Sequence, residues 1–296
     1  MNVFLERLKK MMPDYEKFLL HHDEWKSIRI NTIKISKEKL IEKLDFEIKE
    51  IPWYEYGLWV KGDISHTLEY YLGYYHIQEA GSMIPPLFLL KDEQDASKKS
   101  IIIDACAAPG SKTTQLAMMN EKATIIANDV NLKRIRALVH NIQKAGAKNV
   151  IVTNYDARKL YHLGIEADYI LLDVPCTASG KIPKKDSILK KWNYGRIKAM
   201  SKKQKKIIEG AYHSLKKGGV MVYSTCSIEP EENEEVIDYA IKNFNLEIEE
   251  VKIDGLKTRR GIRRWEGKEY EAEKCSRIWP QDNQTEGFFI CRLRKF

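Results

Sequence analysis

The chain has 296 residues, 43% hydrophobic and 31% charged, which allows one large domain or two unequal ones and excludes wholesale disorder. Its apolar runs, such as Ile101–Ile103 and Ile170–Leu172, fall far short of the roughly 18–20 residues of a membrane span, and the charged start MNVFLERLKKMMPDYEKF is not a secretory signal, so a cytoplasmic protein is expected. The net charge is +8, yet Lys181–Lys206 alone carries eleven basic residues against one acid, Asp186: either a solvated helix face or a surface for a polyanion such as nucleic acid.

Asn2–His21 is expected to be helical, with Val3, Phe4, Leu8, Met11 and Met12 along one face and His21 and His22 exposed at its end. Ser27–Ile35 alternates isoleucine with polar residues, as a half-buried strand does. Ser36 caps a short helix to Leu44, and Phe46–Ile51 and Gly57–Val60 are further strands. Residues 1–75 form a small α+β unit on this reading. Tyr70, Tyr71, Tyr74 and Tyr75 fit packing between domains better than stacking on bases.

In residues 76–296 the rhythm becomes strand–helix alternation. Ile101–Asp104, Ala123–Asn128, Val150–Thr153, Tyr169–Leu172, Val220–Ser224 and Gly287–Leu293 read as strands. Ser111–Met119, Asn131–Ala145, Arg196–Leu215 and Glu231–Asn243 read as helices. The fold class is therefore α/β, a mainly parallel sheet with helices on both faces and ligands beyond the carboxyl ends of its strands. The polar, basic segment Gly255–Ser276, with Arg259, Arg260, Arg263 and Arg264, is the best candidate for a mobile connection.

The chemistry collects at the strand ends. The first strand runs into DACAAPGSKTTQLA (Asp104–Ala117), where small residues admit a ligand close to the backbone and a helix start favours an anion. It has neither P-loop nor G-x-G-x-x-G spacing. Asp104, Asp129, Asp156 and Asp173 end four strands; each alone reads as a helix cap, but together they outline an adenosine-type pocket without a metal. Of the five cysteines, none forms a C-x-x-C pair, which argues against a zinc site or a disulfide framework. Cys176 and Cys226 sit on polar loops at the ligand edge, where a thiolate can attack an activated carbon; Cys275 and Cys291 read as structural.

Taken together, these segments resemble the Sun-type RNA (cytosine-5) methyltransferases, which use S-adenosylmethionine. The matching stretches cover nearly the whole chain: RINTIK (Arg29–Lys34), YHIQEAGSMIPP (Tyr75–Pro86), DACAAPGSKT (Asp104–Thr113), NDV (Asn128–Val130), DA (Asp156–Ala157), LLDVPCTASG (Leu171–Gly180), STCS (Ser224–Ser227) and RIWPQDNQTEGFF (Arg277–Phe289). The likeness is closest to the archaeal tRNA members, which have a small N-terminal RNA-recognition-like domain, a Rossmann-like catalytic domain and no appended module.

The resemblance implies a monomeric, S-adenosylmethionine-dependent enzyme methylating carbon 5 of cytosine in tRNA, with rRNA as the alternative. It puts Cys106, Ala107, Ala108, Pro109, Gly110, Ser111 and Lys112 around the methionine end of the cofactor. Asp129 falls on the ribose, Asp156 at the adenine edge with Arg134 nearby, and Asp173 between cofactor and target base. Cys226 takes the part of nucleophile and Cys176 that of the thiol releasing the product. Arg29, Asn31, Lys181, Lys184, Lys185, Lys190 and Lys191 are expected RNA contacts.

Carbon 5 of cytosine is a poor nucleophile. Addition of a thiolate at carbon 6, with ring nitrogen 3 protonated, makes it an enamine able to attack a sulfonium methyl; the carbon-5 proton and the thiolate must then leave. The base must also leave its stack. The sequence departs from the family at Ser111, where many members have a second glycine, at Thr177–Gly180, and at Gln281, where many have histidine. Two rivals remain: a DNA cytosine methyltransferase, weakened because Glu232–Glu235 (ENEE) lacks the valine of that group's Glu-Asn-Val motif, and a non-catalytic RNA-binding factor on the same fold.

Overall fold

A proline lacks the N–H a helix needs and clashes with the preceding turn, and Pro13 splits the expected first helix into α1 (Asn2–Met11) and α2 (Tyr15–Leu19). The computed structural model describes residues 2–21, 24–91 and 99–296; His22 lies outside them. The apolar faces of these helices, Phe4, Leu8, Met12 and Phe18, pack on Ile182, Ile228 and Trp279 from the C-terminal half of the chain.

The small sheet comprises β1 (Lys26–Ile30), β2 (Glu47–Glu50), β3 (Gly57–Lys61) and β4 (Tyr75–Ile77), in the order β2-β3-β1-β4 and antiparallel throughout. It continues past Tyr75 to Ile77. Helix α3 (Lys37–Ile41) is capped by Ser36, whose Oγ accepts from Lys39 N, and α4 (Leu68–Tyr71) precedes β4. Strand β1 stops well before Ile35 because Asn31 turns the chain: its side chain accepts from Ile33 N at 3.3 Å and its carbonyl from Lys34 N at 3.0 Å.

Helix α5 (Ile84–Leu89) leads to the large sheet. Its elements are β5 (Ile101–Asp104), α6 (Ser111–Met119), β6 (Thr124–Asn128), α7 (Leu132–Ala145), β7 (Val150–Thr153), β8 (Ala167–Asp173), α8 (Asp186–Lys190), α9 (Tyr194–Ser214), β9 (Leu215–Thr225), α10 (Glu234–Asn243) and β10 (Leu246–Glu249). Then come β11 (Arg259–Arg260), a hairpin of β12 (Arg264–Trp265) and β13 (Lys268–Glu269), β14 (Ser276–Ile278), α11 (Pro280–Asn283) and β15 (Phe288–Lys295). The strand order is β11-β14-β15-β9-β8-β5-β6-β7, with β10 on β15. Strands β5 to β9 run parallel; β15, β14, β11 and β10 are antiparallel additions.

Successive side chains on a strand face opposite ways. Ile102, Leu171, Val222 and Ile290 accordingly pack under α5 and α6, while Ile103, Ile170, Leu172, Tyr223 and Phe289 pack under α9 and α10. A parallel sheet buried on both faces and open at its carboxyl ends is a Rossmann-like arrangement.

The segment Gly255–Ser276 is not a loose connection. Arg259 binds Asp14 and Asp282 at 2.6–2.9 Å, Trp265 Nε1 donates to Glu231 at 3.1 Å, and Tyr270 and Ala272 enter the core. Tyr75 is buried, its hydroxyl donating to Ile64 O at 2.7 Å, and Tyr70 lies beneath the Lys144 ammonium of α7, so these two tyrosines pack; Tyr71 is exposed.

Arg29 fastens the small sheet to the large one. It is 1% exposed, and its guanidinium donates to Gln78 Oε1 at 2.8 Å, Thr114 Oγ1 at 2.7 Å and Ser111 O at 3.3 Å. Asn31, 4% exposed, donates to Gly73 O and Ala145 O, each at 2.8 Å. Both expected RNA contacts are thereby corrected: these side chains are spent inside the protein. Burial lowers the Arg29 pKa to about 10. Arg29→Ala leaves a cavity and unpaired buried acceptors, and is expected to cost about 2–4 kcal/mol in denaturant unfolding.

Candidate active site

The loop after β5 turns at Gly110, whose φ of +108° suits glycine, and a Cβ there would meet Leu138 Cδ1 at 2.9 Å. Ser111 is accommodated because its hydroxyl meets His76 Nε2 at 2.9 Å. Burial pushes the His76 pKa down to about 3, so this ring is neutral.

Beyond the loop lies a cavity of about 300 Å³ at the carboxyl ends of β5 and β8. Cys106, Ala107, Ala108, Pro109, Ser111 and Lys112 form one wall, with Asp104, Asp173 and Arg134. Gln78, Glu79, Ser82, Lys181, Cys226 and Phe288 complete it.

Lys112 Nζ donates to Asp173 Oδ2 at 2.7 Å and Ser82 Oγ at 2.8 Å, while Ser224 Oγ donates to Asp173 Oδ1 at 3.1 Å. Asp104 accepts from Thr113 Oγ1 at 2.7 Å through Oδ2; its buried Oδ1 has no hydrogen-bond partner among the described residues. Burial, with Asp173 and Asp129 adding repulsion, pushes its pKa up to about 7 despite the Thr113 bond.

The two loop thiols meet: Cys176 Sγ and Cys226 Sγ are 3.3 Å apart. The contact with Cys226, with burial, raises the Cys176 pKa well above the thiol range, which keeps the proton on Cys176. The loops are joined by Gly180 N donating to Cys226 O and Gly287 N to Gly180 O, each at 3.0 Å. A side chain at Gly180 would meet Gly287 O at 2.2 Å. The remaining thiols have other places. Burial raises the pKa of Cys106, and Cys275 and Cys291 are buried in the core.

Other expected residues fall differently. Asp129 is 2% exposed and sits behind the loop, accepting from Ala108 N at 3.3 Å and Asn131 N at 2.9 Å, with Arg134 paired to it at 3.1 Å. Asp156 is outside the cavity wall: it caps the 3-10 turn Ala157–Leu163 and holds Arg158, so the helix-cap reading describes it. Lys181 points into the cavity and pairs with Glu286 at 2.7 Å; burial opposes its charge, but Cys226, Glu286 and Glu79 outweigh it and raise its pKa. Lys184, Lys185, Lys190 and Lys191 are exposed. Gln281 faces Asp14 at 3.3 Å, on α1–α2 rather than among the cavity walls.

The ENEE run is wholly committed to the protein's own donors. Glu232 binds Thr177, Ser227 and Gln204; Asn233 binds Thr225; Glu234 binds Arg277; Glu235 binds Lys205. Glu232, Asn233 and Glu234 are fully buried, and none of the four lines the cavity. That removes the base-holding role on which the DNA reading depended. Sequence reasoning missed Glu79, Ser82 and Phe288 as cavity walls and Glu232 as a loop partner. The first three lay inside the quoted matches, at Tyr75–Pro86 and Arg277–Phe289, without a role attached.

A Rossmann-like sheet with this loop, these acids and a thiol pair at its carboxyl edge defines the class, a methyltransferase. The models of two families match: 16S rRNA methyltransferase RsmB/F over residues 89–294, and the N-terminal domain of 16S rRNA methyltransferase RsmF over residues 2–80. The chain belongs to the RsmB/F family of S-adenosylmethionine-dependent RNA methyltransferases. It is 40% identical to the tRNA (cytosine(49)-C(5))-methyltransferase of Pyrococcus abyssi, over 97% of this chain and 96% of that protein. It is 35% identical to the ribosomal RNA small subunit methyltransferase F of Vibrio atlanticus, over 99% of this chain but 63% of that protein. Among solved structures it is similar to a methyltransferase homologue from Pyrococcus horikoshii (TM-score 0.87, 33% identity, covering 100% of this chain and 95% of that one). It is also similar to NSun6 from the same organism, solved with SFG (TM-score 0.85, 28% identity, covering 98% and 97%).

Proposed function

We propose that this chain, in the cytoplasm, methylates carbon 5 of cytosine in tRNA through a covalent adduct on Cys226. The observation that carries the reading is the 3.3 Å approach of Cys226 and Cys176 beside Asp173 and Lys112. The cavity suits S-adenosylmethionine. The unpartnered Asp104 Oδ1 matches the ammonium of its methionine end, and the glycine turn and small residues of Cys106–Gly110 leave room for the rest. SFG, held by the similar NSun6 structure, is an analogue of that cofactor. Asp129 and Asp156 would take the ribose and adenine on giving up Arg134 and Arg158.

When bound, the cofactor supplies a methyl group attached to a positively charged sulfur. The protein's part is to make carbon 5 nucleophilic. Cys226 gives up its proton and adds to carbon 6 as thiolate, ring nitrogen 3 gains a proton, and Asp173, held by Lys112, stabilises that proton by accepting from it. Cys176, which keeps its own proton, then assists departure of Cys226 while the carbon-5 proton leaves to a water beside the two thiols. The exposed Lys184, Lys185, Lys190 and Lys191 follow the Cys176 loop and offer a phosphate backbone a positive path.

Binding of the cofactor's ammonium needs Asp104 ionised. Its pKa is about 7, so acidification neutralises the partner. Calorimetric affinity for S-adenosylmethionine is expected to rise on the order of tenfold from pH 5.5 to pH 7, and Asp104→Asn should flatten that rise.

The tRNA reading is favoured over rRNA by identity, 40% to the tRNA relative against 35% to the rRNA relative. Labelled-methyl transfer to unmodified tRNA and small-subunit rRNA tests it. Transfer to tRNA cytosines is expected. Transfer to rRNA alone reverses the substrate, and RNA binding with no transfer to either favours the non-catalytic rival.

A further inference from the structure

Glu232 lies outside the cavity, yet it touches both thiol loops. Its Oε2 accepts from Thr177 N at 2.9 Å and Gln204 Nε2 at 3.0 Å. Its Oε1 accepts from Ser227 Oγ at 2.9 Å and, by a short bond, from Thr177 Oγ1. Thr177 follows Cys176 and Ser227 follows Cys226, so one carboxylate ties together the residues next to both sulfurs. Gln204 fixes that carboxylate from α9 and itself donates to Pro175 O at 3.0 Å, on the other side of Cys176. The Tyr223 hydroxyl holds the Glu232 carbonyl at 2.5 Å.

Four donors converge on two oxygens, all within a fully buried site. A carboxylate meets them with lone pairs alone. A glutamine of the same shape offers one oxygen: its NH2 faces either Thr177 N and Gln204 Nε2, donor against donor, or the Thr177 and Ser227 hydroxyls, which must then turn from donating to accepting. The site is therefore built for two acceptor oxygens rather than for volume alone.

We propose that Glu232 is a positioning residue that sets the separation of Cys176 and Cys226, and so couples product release to adduct formation. The proposal deepens the function given above and rests on its assignment of the two thiols. A displaced Cys176 leaves Cys226 able to add to the base but slows its departure.

The test has two arms, both on the full chain. In the first, phenylarsine oxide, which bridges closely spaced thiols, is titrated against wild type, Glu232→Gln and Glu232→Asp, with the bridge located by peptide mass mapping. This arm needs no methyl transfer, so it stands even if the functional reading fails. Capture at Cys176–Cys226 is expected to weaken at least about tenfold in Glu232→Gln and to recover in part in Glu232→Asp. Capture equal to wild type overturns the proposal.

In the second arm, an RNA that wild type methylates is followed through single and multiple turnovers. Glu232→Gln is expected to keep its first methyl transfer within about threefold, lose about tenfold or more in later turnovers, and show a covalent RNA adduct on denaturing gels. Equal loss of both phases without adduct indicates a purely structural role and overturns it. If Glu232→Gln fails to fold, Thr177→Val, which removes a single donor, is read in the same two arms against the same outcomes.

Discussion

Cys226→Ala is expected to lower methyl transfer by about 10⁴-fold or more, because the step that makes carbon 5 reactive is lost with the sulfur. The same variant should form no covalent complex with RNA containing 5-fluorocytosine, where the missing carbon-5 proton blocks release. Cys176→Ala is the informative partner. It retains the nucleophile but loses the thiol 3.3 Å away, so the adduct should form on ordinary RNA and persist through denaturing electrophoresis. Burial and the contact with Cys226 keep the proton on Cys176, which disfavours it as the attacking sulfur. If only Cys176→Ala abolishes the adduct, the two roles are exchanged.

Much of this site was legible because each acid and thiol followed a strand, and a strand end in a parallel sheet is a position as well as a residue. The pattern Ile101–Asp104 placed Asp104 and the small-residue loop, and Tyr169–Leu172 placed Asp173 and Cys176 on the neighbouring strand. Two kinds of information were not legible. One was the state of a charged side chain: Arg29 reads as a surface cation in RINTIK, but it is buried because Gln78 and Thr114, far away in sequence, supply its acceptors. Nor does the sequence show that Asp156 is paired with Arg158, two residues on, which it must give up to meet a ligand.

The other was long-range packing. Gly255–Ser276 is polar enough to read as a loose loop, yet Arg259 and Trp265 find buried or half-buried acids just before α2, on α11 and in the turn before α10. The ENEE run lies on the expected helix Glu231–Asn243 with no partner assigned; here Glu234 forms a buried bidentate pair with Arg277 at 2.6 and 2.7 Å. Period and turn chemistry locate elements, but the choice of partner for a charge depends on topology that only the folded chain supplies.

Asp173→Asn tests the remaining chemical assignment and separates it from the thiols. Asparagine fills the same space and can still accept from Ser224 or Lys112 through its oxygen, but it lacks the negative charge that stabilises a proton at ring nitrogen 3. Its amide nitrogen must also face one of those donors. A fall in kcat of about 10²–10⁴-fold is expected, the range for losing a positioned acid–base group, with RNA affinity little changed because the cation path lies on the exposed lysines. Since protonation of the ring precedes attack at carbon 6, Asp173→Asn should slow adduct formation on 5-fluorocytosine RNA as much as methyl transfer on ordinary RNA. Cys176→Ala affects the second and not the first. An Asp173→Asn enzyme that forms the fluorinated adduct at the wild-type rate would show that the carboxylate acts after the bond to Cys226 is made, as a cofactor contact alone.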